Sequence, residues 1–158
     1  MSQDAGQPLT NLYLAAAVIG VLSVISHFAV PRTSDLARLI GYALDILIAV
    51  VVGLIAIRAK RTVDRAALRA SAAGAIFGLI TGVGDLLFPP SAGALRSAML
   101  DDRASISQSE MNAVINFTRS LGVRIFELIV AVLVGWLLAL LIGWIVTLFV
   151  QGPDQRAI

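Results

Sequence analysis

The sequence predicts an all-α integral membrane protein: a four-transmembrane-helix bundle with an amphipathic helical loop on the outer side between spans 3 and 4. Three observations carry this expectation. Of the 158 residues, 58% are hydrophobic and only 14% charged, a balance well outside that of soluble domains. Four apolar stretches, at about residues 12–30, 39–57, 70–88 and 121–150, reach the roughly 20 residues that a helix needs to cross about 30 Å of hydrocarbon. Outside them only residues 91–120 form a sizeable segment, so the chain reads as a single membrane domain. Helices are the expected form, because a backbone in lipid has to satisfy its own polar groups.

Span 1 is preceded by no Lys or Arg and closed by no A-x-A site, so it reads as a retained span rather than a secretory leader. Near its end stands His27, the only histidine, four residues before Pro31. Span 2 carries Asp45 on a stripe with Gly41, Ala49 and Gly53. Four-residue spacing places these on one helix face, and the small residues predict that this face, with its carboxylate, turns into the bundle.

The connection to span 3 holds Arg58, Lys60, Arg61, Arg65 and Arg69 against Asp64 alone. By the positive-inside rule it is cytoplasmic, which places both termini there and the other two connections outside. Topology accounts for this charge without nucleic acid, and attraction to anionic headgroups comes with it. The layout resembles that of four-span bacterial proteins, so a bacterial inner (plasma) membrane is the expected location and the lipid bilayer the expected partner.

Span 3 contains Gly74, Gly78 and Gly82 on one stripe. Such a stripe lets a neighbouring backbone approach closely, either within the bundle or from a second copy in a homo-oligomer or membrane complex. Beyond Pro89 and Pro90 the outer loop balances Arg96, Arg103 and Arg119 against Asp101, Asp102 and Glu110. Ser107 and Glu110 have capping-box spacing. Met111, Val114, Ile115, Thr118, Leu121 and Ile125 then recur at helical intervals. This predicts an amphipathic helix that starts near Gln108, bends at Gly122 and runs into span 4. Unbent to Val150 it would measure about 64 Å at about 1.5 Å per residue, so it has to tilt, bend or project, with its apolar stripe suited to the membrane surface.

An internal repeat is one reading of this order. Aligning Pro31 with Pro89 sets Gly20 on Gly78, Ser23 on Thr81 and His27 on Asp85; aligning Asp45 with Glu127 sets Ala49 on Ala131 and Gly53 on Gly135. Two hairpins of the same orientation would be related by a pseudo-twofold along the membrane normal.

Antiparallel threading gathers His27, Asp45, Asp85, Arg124 and Glu127 toward the outer side. From the span ends, at about 1.5 Å per residue, His27, Asp85 and Arg124 lie about 5 Å deep, Glu127 about 9 Å and Asp45 about 9–13 Å. Ionisable residues at such depths are functional candidates by default, and the layout reads as an outward-facing polar vestibule. A structural reading stands beside it. Arg124 and Glu127 form an interfacial i, i+3 ion pair, Asp85 is interfacial, and Asp45 is protonated or hydrogen-bonded to Tyr42, Thr81 or a water.

One motif resembles a family. Gly82-Val83-Gly84-Asp85 is similar to the G-x-G-D of intramembrane aspartyl proteases, the presenilin, signal-peptide-peptidase and prepilin-peptidase group. The resemblance implies a catalytic pair of Asp85 with a second membrane aspartate, for which Asp45 is the deep candidate, the two sharing one proton. Asp45 lacks the preceding tyrosine of presenilins, and no lysine follows Asp85.

With no cysteine and one histidine, disulfides, thiolate metal sites, bis-histidine haem and H-E-x-x-H zinc are outside the reach of a single chain. No cofactor, metal or catalytic residue is therefore expected. Three function classes remain. The first is a non-enzymatic accessory or assembly-forming membrane protein. The second is a homo-oligomeric proton- or cation-coupled transporter or channel using Asp45, with Glu127, Asp85 and His27 as further candidate ligands. The third is the protease.

Overall fold

Long apolar runs free of internal proline fold as helices, and they do so here throughout. The computed structural model describes residues 7–29, 35–59, 62–102 and 107–150. Its helices are α1 (Gln7–Ala29), α2 (Asp35–Arg58), α3 (Val63–Leu87), α4 (Ala92–Asp102), α5 (Gln108–Thr118) and α6 (Leu121–Val150). Four of them, α1, α2, α3 and α6, are long and apolar enough to cross a membrane. The all-α membrane bundle is thus what the chain forms.

Helices α1 and α2 begin five and four residues before the expected spans, and two further differences bear on the site. Helix α3 begins at Val63, seven residues before the expected start of span 3. The alanine-rich segment that follows favours helix, and Asp64 in the first turn suits the positive end of the helix dipole. Arg65 and Arg69 therefore stand on α3 and not in a loop, while Lys60 and Arg61 lie outside the described residues. The second difference is the bend before span 4, which falls at Arg119–Ser120 and not at Gly122. Ser120 caps α6 there, its Oγ accepting from the Val123 N–H at 3.4 Å. With that cap the chain breaks the helix without needing glycine, and Gly122 sits in open space.

Helix α3 is the hub, packed on α1, α2 and most extensively on α6, while α2 also touches α1 and α6. Helices α1 and α6 make at most marginal contact. A pseudo-twofold relating α1–α2 to α3–α6 would require α6 to pack on α1 as α2 packs on α3, so the bundle does not have that symmetry.

The α3–α6 seam is antiparallel and built from the glycine stripe. A Cβ on Gly74 would collide with the Gly135 carbonyl, and one on Gly78 with that of Ala131. On Gly82 it would meet the Leu128 Cδ1 at 2.7 Å, and on Gly143 the Ala70 Cβ at 2.6 Å. All three glycines of the stripe are thus buried within one chain, where lipid supplies no hydrophobic drive and close backbone approach does.

The core lies toward the α2–α3 connection, where Val52, Ile55, Ala16, Ala70 and Ala73 are almost fully buried. Its buried hydroxyls are satisfied locally: Ser71 donates to the Leu68 carbonyl at 2.8 Å and Thr147 to the Gly143 carbonyl at 2.6 Å. At the opposite end Leu36, Leu39, Tyr42 and Ile46 of α2 are exposed. The bundle is closed at one end and splayed at the other. Over the splayed end lie α4, for which the sequence carried no separate signal, and α5, joined by an Arg96–Asn112 hydrogen bond of 2.9 Å.

Candidate functional site

Asp45 stands ten residues into α2, or about 15 Å along the helix at about 1.5 Å per residue. That is close to the helix midpoint; from Leu39, where the apolar span begins, it is about 9 Å, within the range the sequence suggests. The face it occupies differs in part from expectation. The bundle-facing stripe of α2 is Leu44, Ile48, Val52 and Ile55, one residue round from Gly41, Asp45, Ala49 and Gly53. A Cβ on Gly41 would have no neighbour within 4 Å, and Asp45 is exposed. The small-residue stripe turns inward only in part: Asp45 and Ala49 line a crevice against α3 and α6 and Gly53 faces Val146 of α6, whereas Gly41 meets no neighbour.

Exposure does not leave Asp45 on a smooth surface. It forms the rim of a crevice of about 370 Å³ between α2, α3 and α6. Asp45, Thr81 and Ala131 are the lining residues nearest the α4–α5 end on their respective helices, and the floor includes Gly74, Gly78 and Gly135. The floor is shallow in side chains because the glycine seam holds α3 against α6. Thr81 donates its hydroxyl proton to the Phe77 and Gly78 carbonyls at 3.0 and 3.2 Å, which leaves its oxygen available as an acceptor. Among the described residues Asp45 has no hydrogen-bond or ion-pair partner, so the expected bond to Tyr42 or Thr81 is not formed.

Glu127 is exposed. Ala131, Val134 and Leu138, which line the crevice, follow it at i+4, i+7 and i+11, so Glu127 shares that face of α6 one turn farther out. The expected Arg124–Glu127 ion pair is not formed. Arg124 is half-buried, and its Nε is enclosed without a hydrogen-bond partner among the described residues. Arg124 lies on the α6 face that packs on α3, in line with Leu128, Ala131 and Gly135. In the α3–α6 register set by Gly74 with Gly135 and Gly78 with Ala131, Arg124 comes level with Asp85.

His27 and Asp85 are brought together, in a second cavity of about 480 Å³ between α1, α3 and the start of α4. Parallel packing of α1 on α3 explains this, since Gly84 abuts Val24 and Gly20 abuts Ile80. Phe28 and Phe88 close the wall edge to face, with centroids 4.8 Å apart and planes at 88°. Sequence reasoning misses this aromatic pair, because Phe28 stands three residues before Pro31 and Phe88 one before Pro89, so that aligning the prolines does not match them.

The geometry also accounts for the G-x-G-D motif. Gly82 makes room for α6 and Gly84 for α1, on roughly opposite sides of α3. Asp45 and Asp85 line different cavities, and neither cavity holds both carboxylates as a shared-proton pair would need.

Outside the spans, the Ser107–Glu110 capping box forms as predicted. Ser107 Oγ accepts from the Glu110 N–H, and the Glu110 carboxylate accepts from the Ser107 N–H at 3.1 Å and its hydroxyl at 2.7 Å. The hydroxyl bond first, and then the backbone bond, holds the Glu110 carboxyl below its usual range. Among the described residues no group of three or more metal-ligating side chains converges.

Compared with protein-family models, curated proteins and solved structures, the chain matches none. Its functional reading therefore stands on the site itself.

Proposed function

We propose that this chain is a membrane carrier or channel subunit in which Asp45 binds and releases a proton or cation within the α2–α3–α6 crevice. The observation that carries this is a mid-helix carboxylate on the rim of an open crevice, without a partner among the described residues. An ionised aspartate facing hydrocarbon at such depth costs about 2.5–3.5 kcal/mol or more, so the position needs a compensating use. Glu127, on the same face one turn outward, extends a path toward the α4–α5 end. The basic residues at the other end support a cytoplasmic placement of that end, with α4 and α5 outside a bacterial inner membrane.

The test is pH-driven flux in proteoliposomes. The wild-type chain should dissipate an imposed proton gradient, and Asp45→Asn should abolish this while the helical content and oligomer profile stay unchanged. Equal flux in the two proteins ends the proposal.

A second reading, an assembly-forming accessory subunit, is favoured by one observation. Gly41 and the exposed Leu39, Tyr42 and Ile46 form a face of α2 that no described helix of the same chain covers. Crosslinking through position 41 in membranes should then trap a homo-oligomer or a partner. A protease would instead require Asp85→Asn and Asp45→Asn each to stop cleavage of a membrane peptide.

A further inference from the structure

The crevice restricts what its carboxylate can hold. Its floor is backbone and small side chains, because Gly74 and Gly78 lie against Gly135 and Ala131, and the Phe77 ring forms one flank. At about 370 Å³ it falls within the size range of small-molecule sites. Among the described residues Asp45 is its only charged lining residue. The ionisable groups next to it each stand one turn outward: Tyr42 on α2, Asp85 on α3 and Glu127 on α6. None of these is a cation. Arg124 lies a further turn out on α6, in line with Ala131 and Gly135 but not itself lining the crevice.

Such a site suits a hard metal ion poorly. Calcium takes about 6–8 oxygen ligands, and magnesium demands near-octahedral oxygen geometry. One carboxylate and one threonine oxygen replace little of either hydration shell. An organic cation with dispersed charge has less hydration to lose. It would place its apolar groups on Val134 and Leu138, its charge beside Asp45, and part of that charge against the face of Phe77. Val134 and Leu138 are also exposed on the lipid side, so a ligand dissolved in the bilayer enters laterally.

We infer that the α2–α3–α6 crevice binds a lipophilic organic cation against the Asp45 carboxylate. This rests on the reading of Asp45 as the working carboxylate and adds the ligand class to it.

The experiment uses the full chain in nanodiscs of zwitterionic lipid, with tetraphenylphosphonium as the probe. Equilibrium dialysis reads binding, and saturable binding is expected. Asp45→Asn and Val134→Trp should each weaken binding by at least about tenfold, and Asp85→Asn should change it by less than about threefold. Val134→Trp fills the crevice from an exposed position and leaves the carboxylate in place, so it decides the matter even where Asp45→Asn does not insert. Absence of saturable binding to folded wild-type chain, or binding that survives both Asp45→Asn and Val134→Trp, overturns the inference. Asp45-dependent proton flux without phosphonium binding discards the ligand class and leaves the coupling role standing; loss of both discards both.

Discussion

The two ends of this bundle obey different packing rules. Toward the α2–α3 connection, glycine and alanine let α3 and α6 touch through their backbones, and Val52 and Ile55 of α2 are sealed against them. Toward α4 and α5, Gly41 meets nothing and His27, Asp45, Asp85, Arg124 and Glu127 are gathered, while Asp64, Arg65 and Arg69 stand in the first two turns of α3 at the other end. The buried polar side chains of the closed half are hydroxyls, and these bond to their own helix. The mid-helix carboxylate of Asp45 thus borders the crevice and not the sealed packing around Ile55.

The largest effect should come from breaking the closed half. Gly143→Leu drives a side chain into the Ala70 side chain and the Ala67 backbone, and overpacking of this kind costs about 3 kcal/mol or more where backbone has to move. Thermal unfolding in detergent should show a large fall in Tm or no folded protein. The matched change in the open half, Gly41→Leu, meets only empty space and should leave stability within about 1 kcal/mol of wild type. A similar loss from both would erase the distinction between the halves.

Intermediate in size is the seam's own gradient. Gly82→Ala meets the end of the Leu128 side chain, whereas Gly74→Ala meets the Gly135 carbonyl. A flexible side chain yields and a backbone does not, so Gly82→Ala should lower Tm by clearly less than Gly74→Ala.

The smallest effect concerns the cap of α5. The Glu110 carboxyl is held below its ordinary value of 4.5 by the Ser107 hydroxyl and backbone N–H. The capping contribution is therefore complete above that ordinary value and is lost as pH falls through the lower, folded-state one. Amide exchange in the first turn of α5 should accelerate in acid, and Glu110→Gln should remove that acid dependence while the spans stay unchanged.

Much of this is legible in the sequence. The four spans and the Ser107–Glu110 cap follow from apolar length and from a local hydrogen-bond pattern, both of which are properties of short segments. The glycine stripe on α3 is equally visible, but its partner is not, because a stripe of small residues states that a backbone comes close and not which one. The stripe that carries Asp45 misleads in part for a related reason. Gly41, Ala49 and Gly53 resemble a packing stripe, yet packing also needs a neighbour at that height, and Gly41 has none. The pairing of His27 with Asp85 shows in the sequence as an alignment of equivalent positions. In the structure both residues line one cavity between parallel helices, without the twofold that the alignment implies.

If the crevice is wet and the packing beyond it closed, water reaches the level of Asp45 and not the level of Ile55, about three turns farther along the same helix. The chain has no cysteine, so single cysteines at positions 45 and 55 can be compared directly with a membrane-impermeant thiol reagent in proteoliposomes. Rapid modification is expected at position 45 and protection at position 55. Equal protection of both would mean that the crevice is dry and that Asp45 has no aqueous path.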